Sequence, residues 1–413
     1  MENFRQDLVQ IFDTLRNQDK VKTALNFLQQ DAANTIAQQK QLVVIEAPTF
    51  QEEKRSKAYA QMLQEAGLKD IQTDDRHNVW GKIYGYGKTG KAVLLEGHLD
   101  TVFQYGAVKS IIEKDGKLHA PGICDDTRAL AANLSVLRAF LKQEIIPYHD
   151  IIIAGTVSEE GLGAMSGMKY LLEHLKGQLI ATISIDGSSR DAFYYNATGM
   201  INYDVTYTGP GGHAYTAFGT PSAVHAMGRA IALLADIQVP TVPKTTFTVS
   251  LVQGGQAIHG IAQKANFKIN MRSDAASELA KLEQKALAAF QQGALLENQR
   301  WQKPDTIKVA YEKIMNIPAG SQPEDAAIVQ ITKLATRALG ITPKPKTGGC
   351  TNGNMSIAAG IPAVTLGRGG EEYGAHTLNE WFNPEGVYAC EQKSLLMLLA
   401  LAGGQNIVKP AQL

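Results

Sequence analysis

The chain has 413 residues, of which 44% are hydrophobic, and its 40 basic and 40 acidic residues give a formal net charge of zero. This length exceeds one ordinary hydrophobic core and predicts two or three domains, at roughly 150 residues per domain. The balanced charge argues against nucleic acid and anionic membranes as partners, because both select for a basic surface.

The first residues, MENFRQDLVQIFDTL, mix charged and apolar residues in a helical pattern and lack the basic start and apolar core of a signal peptide. The longest apolar stretch, Leu395 to Ala402, is far shorter than the ~20 residues of a membrane-spanning helix and predicts a buried helix. Three widely spaced cysteines, Cys124, Cys350 and Cys390, indicate a reducing compartment rather than a disulfide framework. We therefore expect a cytoplasmic protein.

Strand-like apolar runs alternate with helical segments through the first half of the chain. Strands are predicted at 93–95, 151–156 and 179–185, and helices at 129–141 and 165–175. This alternation predicts an α/β fold with a mainly parallel sheet, in which ligand sites gather at the carboxyl ends of strands. His98, Glu160 and Asp186 each closely follow or end one of these strands.

A different pattern begins near Gly199. Strands are predicted at 201–207, 245–252, 265–271 and 306–314, with helices after 220–222 and at 277–291. The order strand, helix, strand, strand, helix, strand is that of a ferredoxin-like α+β unit. We therefore predict one catalytic domain, residues 1–199 and 315–413, interrupted by an inserted domain at 200–314.

Five side chains that can bind metal lie in glycine-containing turns: His98, Asp125, Glu160, Asp186 and His376. Two histidines and three carboxylates suit a pair of zinc ions, because three carboxylates and one shared hydroxide neutralise their four positive charges. The pattern predicts a dinuclear hydrolase. Manganese or cobalt would also be accepted by these ligand types.

Each motif also has a structural interpretation. In GHLDTV at 97–102, Asp100 can orient a metal-bound His98, although an isolated HxD is more often structural. The paired aspartates of GICDDTR at 122–128 could cap the following helix.

The remaining motifs have similar alternatives. SEEG at 158–161 could be a solvated loop, but it can also place Glu160 on a metal while Glu159 accepts a proton from water. IDG at 185–187 and GAHTLNE at 374–380, with Glu380 behind the histidine, are turn sequences when seen alone.

Two further features resemble functional sites but have simpler structural interpretations. GYGKTG at 85–90 matches the GxGxxG spacing, but a strand rather than a helix follows it, which predicts a hairpin turn. Cys124 and Cys350 lie beside site motifs, but the sequence around them shows no Cys/His pattern of a nucleophile, and we interpret them as small buried hydrophobic residues.

Taken in order, HxDTV, GxxDD, EEGxG, a strand-end DG and AHTxNE resemble the co-catalytic zinc peptidase family. That family includes peptidase T, glutamate carboxypeptidases of the carboxypeptidase G type, aminoacylase and succinyl-diaminopimelate desuccinylase. The resemblance covers nearly the whole chain. It implies a zinc-peptidase α/β sandwich interrupted by an inserted lid or dimerisation domain, two zinc ions per chain and a homodimer.

The resemblance also implies two ligand sets that share one bridging residue. They are His98, Asp125 and Asp186 for one zinc, and Asp125, Glu160 and His376 for the other. Glu159 matches the family's general base, and Asp100 matches the carboxylate behind the first ligand histidine. The implied mechanism is attack by a metal-bridging hydroxide, with Glu159 passing the proton to the leaving amine.

Two residues of the inserted domain match family positions that contact substrate. GPGGHAYTAF at 209–218 resembles a histidine loop, which implies that His213 reaches across the dimer to stabilise the tetrahedral oxyanion; a glycine-rich surface turn is the alternative. Arg272 matches an arginine that holds a substrate carboxylate, and a surface ion pair is the alternative.

Three positions depart from the family pattern. Thr127 stands where lysine is usual, His259 replaces asparagine in GGQAIHGIA, and Asn352 replaces the common aspartate in TNGN. None is a predicted zinc ligand, so hydrolysis is still expected, while His259 and Asn352 would alter the substrate-facing surface.

The sequence therefore predicts a cytoplasmic zinc exopeptidase that hydrolyses di- or tripeptides and forms a homodimer through residues 200–314. Asp186, where some relatives have glutamate, favours a relative of peptidase T and with it an aminopeptidase, and a carboxypeptidase is the alternative. The alternatives are an amidohydrolase that deacylates N-acyl amino acids and a catalytically inactive binding protein. An inactive protein should lack a ligand or the base, and here all are present.

Overall fold

A computed structural model describes residues 4–413, so Met1 to Asn3 of the predicted amino-terminal helical pattern lie outside the described residues. The α-helices are α1 (Gln6–Asn17), α2 (Asp19–Gln30), α3 (Ala32–Val43), α4 (Glu53–Glu65), α5 (Thr127–Lys142), α6 (Ser166–His174), α7 (Ala223–Ala235), α8 (Ala276–Arg300), α9 (Ala327–Ala338), α10 (Gly353–Ala358) and α11 (Ala389–Ala402). The strands are β1 (Gln72–Thr73), β2 (Val79–Ile83), β3 (Ala92–His98), β4 (Ile112–Lys114), β5 (Lys117–His119), β6 (Asp150–Thr156), β7 (Leu179–Gly187), β8 (Ala192–Tyr194), β9 (Gly199–Thr208), β10 (Gly212–His213), β11 (Thr245–Gly254), β12 (Gly260–Ile261), β13 (Lys264–Ser273), β14 (Lys308–Ile317), β15 (Lys344–Lys346), β16 (Ala363–Gly367), β17 (Glu371–Tyr373) and β18 (Trp381–Asn383).

The chain forms two compact units. The first combines the chain up to Ala197 with Ser321–Leu413, and the second is Thr198–Gly320. The final strand of the second unit, β14, continues to Ile317, three residues beyond the end of the predicted strand at Ile314.

The first unit is built on an eight-stranded sheet of order β1-β2-β6-β3-β7-β16-β8-β15. Its four central strands, β6, β3, β7 and β16, are parallel, which confirms the predicted mainly parallel sheet. Every residue of β3 is buried, as is usual for a central strand of a parallel sheet. The carboxyl ends of β3, β6 and β7 therefore meet at one edge.

Two apolar helices contribute much of the core around this sheet. In α5, residues 127–140 are all buried, and in α11 the segment from Leu395 to Ala402 is buried throughout, as predicted. Both helices contact β3. The described residues include no helix that combines the length and apolarity needed to cross a membrane.

A small antiparallel sheet of order β17-β18-β5-β4 also belongs to the first unit. Trp381 of β18 pairs with His119 of β5, which brings the segment after β17 beside the turn that precedes α5. This sheet, which was not predicted, positions the carboxyl-terminal part of the site.

The second unit is an antiparallel sheet of order β11-β13-β9-β14 with α7 and α8 packed against it. The chain order β9, α7, β11, β13, α8, β14 is the predicted ferredoxin-like order. Its core contains the fully buried aromatic rings of Tyr207, Phe267 and Phe290.

The predicted hairpin at 85–90 is wrong. This turn joins β2 to β3, but the two strands do not pair, because β6 lies between them, antiparallel to β2 and parallel to β3. The local glycine pattern indicated the turn. It could not indicate the strand that lies between β2 and β3, because β6 begins at Asp150, 67 residues after Ile83.

Candidate metal centre

Parallel strand ends bring three predicted ligands together. His98 is the last residue of β3 and lies in register with Thr156 at the end of β6, just before the turn that carries Glu160. Asp186 lies at the end of β7, which pairs with β3 on its other side. The sheet thus collects side chains that are up to 88 residues apart in sequence.

The first ligand set surrounds His98, which is 1% exposed. Its Nε2 lies 3.0 Å from Asp125 Oδ1 and 3.8 Å from Asp186 Oδ1. Its Nδ1 lies 3.0 Å from the carbonyl oxygen of Asp100, and because a carbonyl can only accept, Nδ1 is the donor. In neutral His98 this leaves the Nε2 lone pair facing carboxylate oxygens, an arrangement that calls for a cation.

The second ligand set uses the other oxygen of the same aspartate. His376 Nε2 lies 3.2 Å from Asp125 Oδ2 and 2.9 Å from Glu160 Oε1. The loop between β17 and β18 supplies this histidine, whose side chain is about half exposed. The two oxygens of Asp125 therefore face two different histidines.

Among residues 4–413, three groups of side chains have potential ligand atoms within 4.8 Å of one another. They are His98 with Asp125, Asp126 and Asp186; His98 with Glu159 and Glu160; and Asp125 with Glu160 and His376. Nitrogen and carboxylate donors in this number fit one or two divalent transition-metal ions.

Asp100 does more than the sequence indicated. Its Oδ1 lies 3.5 Å from His98 Nδ1, but its two oxygens accept hydrogen bonds from the backbone N–H groups of Glu159 and Glu160, each at 3.0 Å. Oδ2 also accepts from the hydroxyl of Thr49 at 3.0 Å. Asp100 therefore holds the Glu159–Glu160 turn beside His98 as well as contacting the histidine.

Glu159 lies in the environment expected of a general base. It is 8% exposed, and burial, followed by the charge of Asp186, raises the pKa of its carboxyl well above the ordinary value. A carboxylate in this environment takes up a proton more readily than one in water. Its position in the turn is set by the hydrogen bond from its N–H to Asp100.

Arg368 is a central residue of the site that the sequence analysis missed. Its Nε donates to Asp126 Oδ1 at 2.8 Å, and its Nη2 donates to Asp125 Oδ1 at 2.7 Å and to Asp186 Oδ1. Burial by itself would raise the pKa of Asp125. The charge of Arg368 and the hydrogen bonds from both histidines outweigh burial, so the pKa of Asp125 lies well below its ordinary value. Arg368 directly follows β16, so the strand-end rule that indicated the other ligands could also have found it.

Glu380, predicted to support the metal ligands, does so through the turn that carries Asp125. Its carboxylate accepts backbone N–H groups of Gly122 at 2.7 Å, Cys124 at 2.8 Å and Asp125 at 3.2 Å. Burial raises the pKa of Glu380 to about 6, although these donors pull it the other way. Glu380 therefore fixes the turn that presents Asp125.

Thr127 stabilises the same turn. Its hydroxyl lies 2.8 Å from the carbonyl oxygen of Gly122 and 2.9 Å from that of Ile123. The side chain is fully buried, so the position at which the family resemblance led us to expect lysine serves here to close the turn.

Asn352 and Cys350 differ from their predicted surroundings. Asn352 is 1% exposed, and its Nδ2 donates to Glu96 Oε2 at 3.0 Å and to Thr156 Oγ1 at 2.8 Å, which favours a structural role over substrate contact. Cys350 is partly exposed and lines the cavity beside the ligands, whereas Cys124 is buried as predicted. That cavity has a volume of about 340 Å³ and is also lined by Glu159.

The other predicted substrate contacts lie in the second unit and are exposed. His213, in β10, accepts at Nδ1 from the N–H of Tyr215 at 3.2 Å and from that of Thr216 at 3.4 Å. The ring centroids of His213 and His259 are 6.1 Å apart, since His213 pairs with Gly260, the residue that follows His259. Arg272 lies on β13, where its Nε is 3.3 Å from Asn270 Oδ1.

Comparison with known proteins identifies a family and related sequences. Residues 94–399 match the family described as Peptidase family M20/M25/M40. A succinyl-diaminopimelate desuccinylase from Legionella pneumophila is 22% identical over 302 residues, which covers 68% of this chain and 77% of that protein. Carboxypeptidase G2 from a Pseudomonas species is 28% identical over 140 residues, 33% of each protein.

Solved structures match over most of the chain. A tripeptidase from Staphylococcus aureus has a TM-score of 0.76 at 23% identity and covers 89% of this chain and 97% of its own. The aminopeptidase PepT from Bacillus cereus has a TM-score of 0.75 at 19% identity, with 89% and 98% covered. At these identities the structures establish a shared fold.

Proposed function

Because the chain belongs to Peptidase family M20/M25/M40 and is therefore a metal-dependent peptidase or amidohydrolase, we propose that it is a dinuclear zinc exopeptidase acting on di- or tripeptides. The observation that carries this proposal is the placement of Asp125, whose Oδ1 faces His98 while Oδ2 faces His376. A carboxylate with each oxygen directed at a different histidine suits a bridge between two cations.

The two ions would be held by overlapping sets of residues. The sets are His98, Asp125 and Asp186, and Asp125, Glu160 and His376. When bound, such ions polarise a carbonyl group and lower the pKa of water. Manganese or cobalt would serve the same ligands.

Glu159 is proposed as the general base and acid. It removes a proton from the attacking water and returns this proton to the amine that leaves when the peptide bond breaks. Support comes from its burial and raised pKa, since such a carboxylate holds the proton between the two steps. Asp100 positions it through the backbone of the turn.

His213 is proposed to donate a hydrogen bond to the tetrahedral oxyanion. Because its Nδ1 accepts backbone N–H groups, the ring hydrogen of the neutral form lies on the exposed Nε2, which makes that atom a donor. Arg272 is proposed to bind a substrate carboxylate. His259, whose ring centroid lies 6.1 Å from that of His213, is proposed as a further substrate contact.

A second candidate, hydrolysis of N-acyl amino acids, is favoured by the relatives named succinyl-diaminopimelate desuccinylase. The structures named tripeptidase and aminopeptidase favour peptides and, among exopeptidases, cleavage next to a free amine. We give peptide hydrolysis precedence because the tripeptidase and aminopeptidase structures match a larger share of this chain than the desuccinylases do.

The test measures bound metal and substrate range together. Bound metal is removed from the purified protein, and zinc is then added back. The zinc-loaded protein is assayed against free-amino tripeptides, dipeptides, carboxyl-blocked dipeptides and N-acetyl amino acids. The expected result is two zinc ions per chain and turnover of the free-amino peptides. Turnover of N-acetyl amino acids alone would establish the second candidate, and zinc-loaded protein without any turnover would refute both.

The cytoplasmic location and the homodimer through residues 200–314 stay predictions. Sedimentation equilibrium of the full chain tests the dimer, and a His213→Ala subunit mixed with a Glu159→Gln subunit tests whether His213 acts across it. Recovery of activity in the mixture, with neither variant active alone, is the expected result.

A further inference from the structure

The guanidinium of Arg368 is fully engaged by protein carboxylates. Its contacts are Nε to Asp126 Oδ1 at 2.8 Å, Nη1 to both oxygens of Glu372 at 3.0 and 3.1 Å, Nη2 to Asp125 Oδ1 at 2.7 Å, and Nη2 to Asp186 Oδ1. The side chain is 4% exposed. These contacts occupy the donors of the guanidinium, so Arg368 has no group left with which to hold a substrate carboxylate.

The contacts of Arg368 favour one of the two ligand sets. Asp125 Oδ1 and Asp186 Oδ1, the oxygens nearest to His98 Nε2, are also the oxygens to which Nη2 donates. Asp125 Oδ2 instead faces His376, whose Nε2 also contacts Glu160. The positive charge of Arg368 therefore lies against the ligand set of His98, Asp125 and Asp186.

Two opposing effects act on a cation held by that set. A hydrogen bond that orients a ligand strengthens metal binding, and losing such a partner typically costs about 10–100-fold in affinity. A guanidinium, however, keeps its charge, competes for the ligand oxygens and repels a divalent ion, and repulsion is strong at a buried site. Because Arg368 contacts the ligand oxygens themselves, repulsion should outweigh orientation.

We propose that Arg368 makes the two metal positions unequal, so that the Asp125–Glu160–His376 position fills first and the His98–Asp125–Asp186 position binds its ion more weakly. This inference rests on the proposed dinuclear function and adds an order of filling to it. Arg368 acts as a positioning residue through the ligand carboxylates. Activity would then follow the concentration of available metal over the range in which the weaker position fills.

Calorimetric titration of stripped protein with Zn²⁺ tests the inference without an activity assay. The wild type should bind Zn²⁺ in two steps whose dissociation constants differ by about tenfold or more. This is the size of effect that residues in contact with metal ligands typically have on metal affinity. His376→Ala should remove the tighter step and His98→Ala the weaker one. Cobalt titration, followed by visible absorption, gives an independent measure of which ligands bind at each step.

Arg368→Gln removes the charge and should tighten the weaker step by about tenfold or more, while the other step changes much less. Arg368→Lys keeps the charge and should retain unequal steps. If the glutamine variant does not fold, as judged by circular dichroism, the assignment of steps in His98→Ala and His376→Ala still decides the order of filling.

Three outcomes would overturn the inference: equal wild-type steps, loss of the tighter step in His98→Ala, or a weaker step that Arg368→Gln leaves unchanged or weakens further. Each is compatible with peptide turnover, so the proposed function would survive it. Two unequal steps that respond to Arg368 as expected, without turnover of any substrate, would instead sustain the inference and refute the function.

Discussion

The two units of this protein present their functional side chains in opposite ways. In the first unit most of the central groups are buried, with His98 1% and Arg368 3% exposed, and each contacts several neighbours, while His376 is about half exposed. In the second unit His213, His259 and Arg272 are exposed. A buried charge must have partners to be tolerated, so its geometry exists before substrate arrives, whereas an exposed group gains its geometry from what it meets.

This difference predicts separable effects. Substitutions around the metal ligands should change metal binding, chemistry or stability, because the same contacts serve all three. Substitutions of the exposed His213 and Arg272 should change the rate of hydrolysis without changing metal binding or stability. The variants below test that separation, from the largest expected effect to the smallest.

Replacing Glu159 with glutamine should reduce kcat by about 10²–10⁴-fold, because the amide cannot accept the proton of the attacking water. Metal content should stay at the wild-type level, since Glu159 is not in either proposed ligand set. Steady-state kinetics with metal analysis checks this, and Glu65→Gln, an exposed change in α4, is the matched control. Full activity in Glu159→Gln would remove the residue from the mechanism.

His213→Ala should lower kcat by about 10²–10³-fold through loss of an oxyanion donor, with no change in zinc content or melting temperature. The control is His225→Ala, another exposed histidine of the second unit. If His213→Ala bound less metal or melted earlier than His225→Ala, the proposed separation between the two units would be wrong.

Glu380→Gln should weaken metal binding by about 10–100-fold, because one carbonyl oxygen replaces two carboxylate oxygens that accept three backbone donors around Asp125. The amide NH₂ would also face N–H groups. Calorimetric zinc titration measures the change, with Glu385→Gln, an exposed glutamate of the same segment, as control. Unchanged affinity would show that the turn holds without Glu380.

Glu297→Gln should destabilise the second unit by about 1–3 kcal/mol while leaving metal binding unchanged. Glu297 is fully buried and accepts from Arg229 Nε at 3.0 Å and Trp301 Nε1 at 3.1 Å. Burial raises its pKa, but Arg229 and the other donors outweigh this and hold the pKa below its ordinary value of 4.5.

The pH dependence of this effect has a definite sign. A depressed folded-state pKa stabilises the protein above the unfolded-state value of 4.5, and that contribution is lost as the pH falls through the folded-state pKa. Urea unfolding of both proteins at pH 7 and pH 3.5 should therefore show a difference that shrinks at the lower pH. A difference that grew on acidification would contradict the assigned charge state.

The sequence by itself determined the strand ends, the order of elements and the candidate ligands. Apolar runs followed by His98, Glu160 and Asp186 are local signals, and parallel pairing converts strand ends into neighbours. The series of motifs also indicated the family, which the match over residues 94–399 establishes.

Only the tertiary structure decided which side chains support those candidates. Arg368 contacts Asp126 at the start of α5 and Asp186 near the end of β7. Glu380 contacts Gly122 through a small sheet that no local pattern indicated. Asn352, expected at the substrate, is buried against Glu96. These hydrogen bonds join groups that are distant in sequence. Tertiary packing, rather than the local residue pattern, therefore determines which groups are partners.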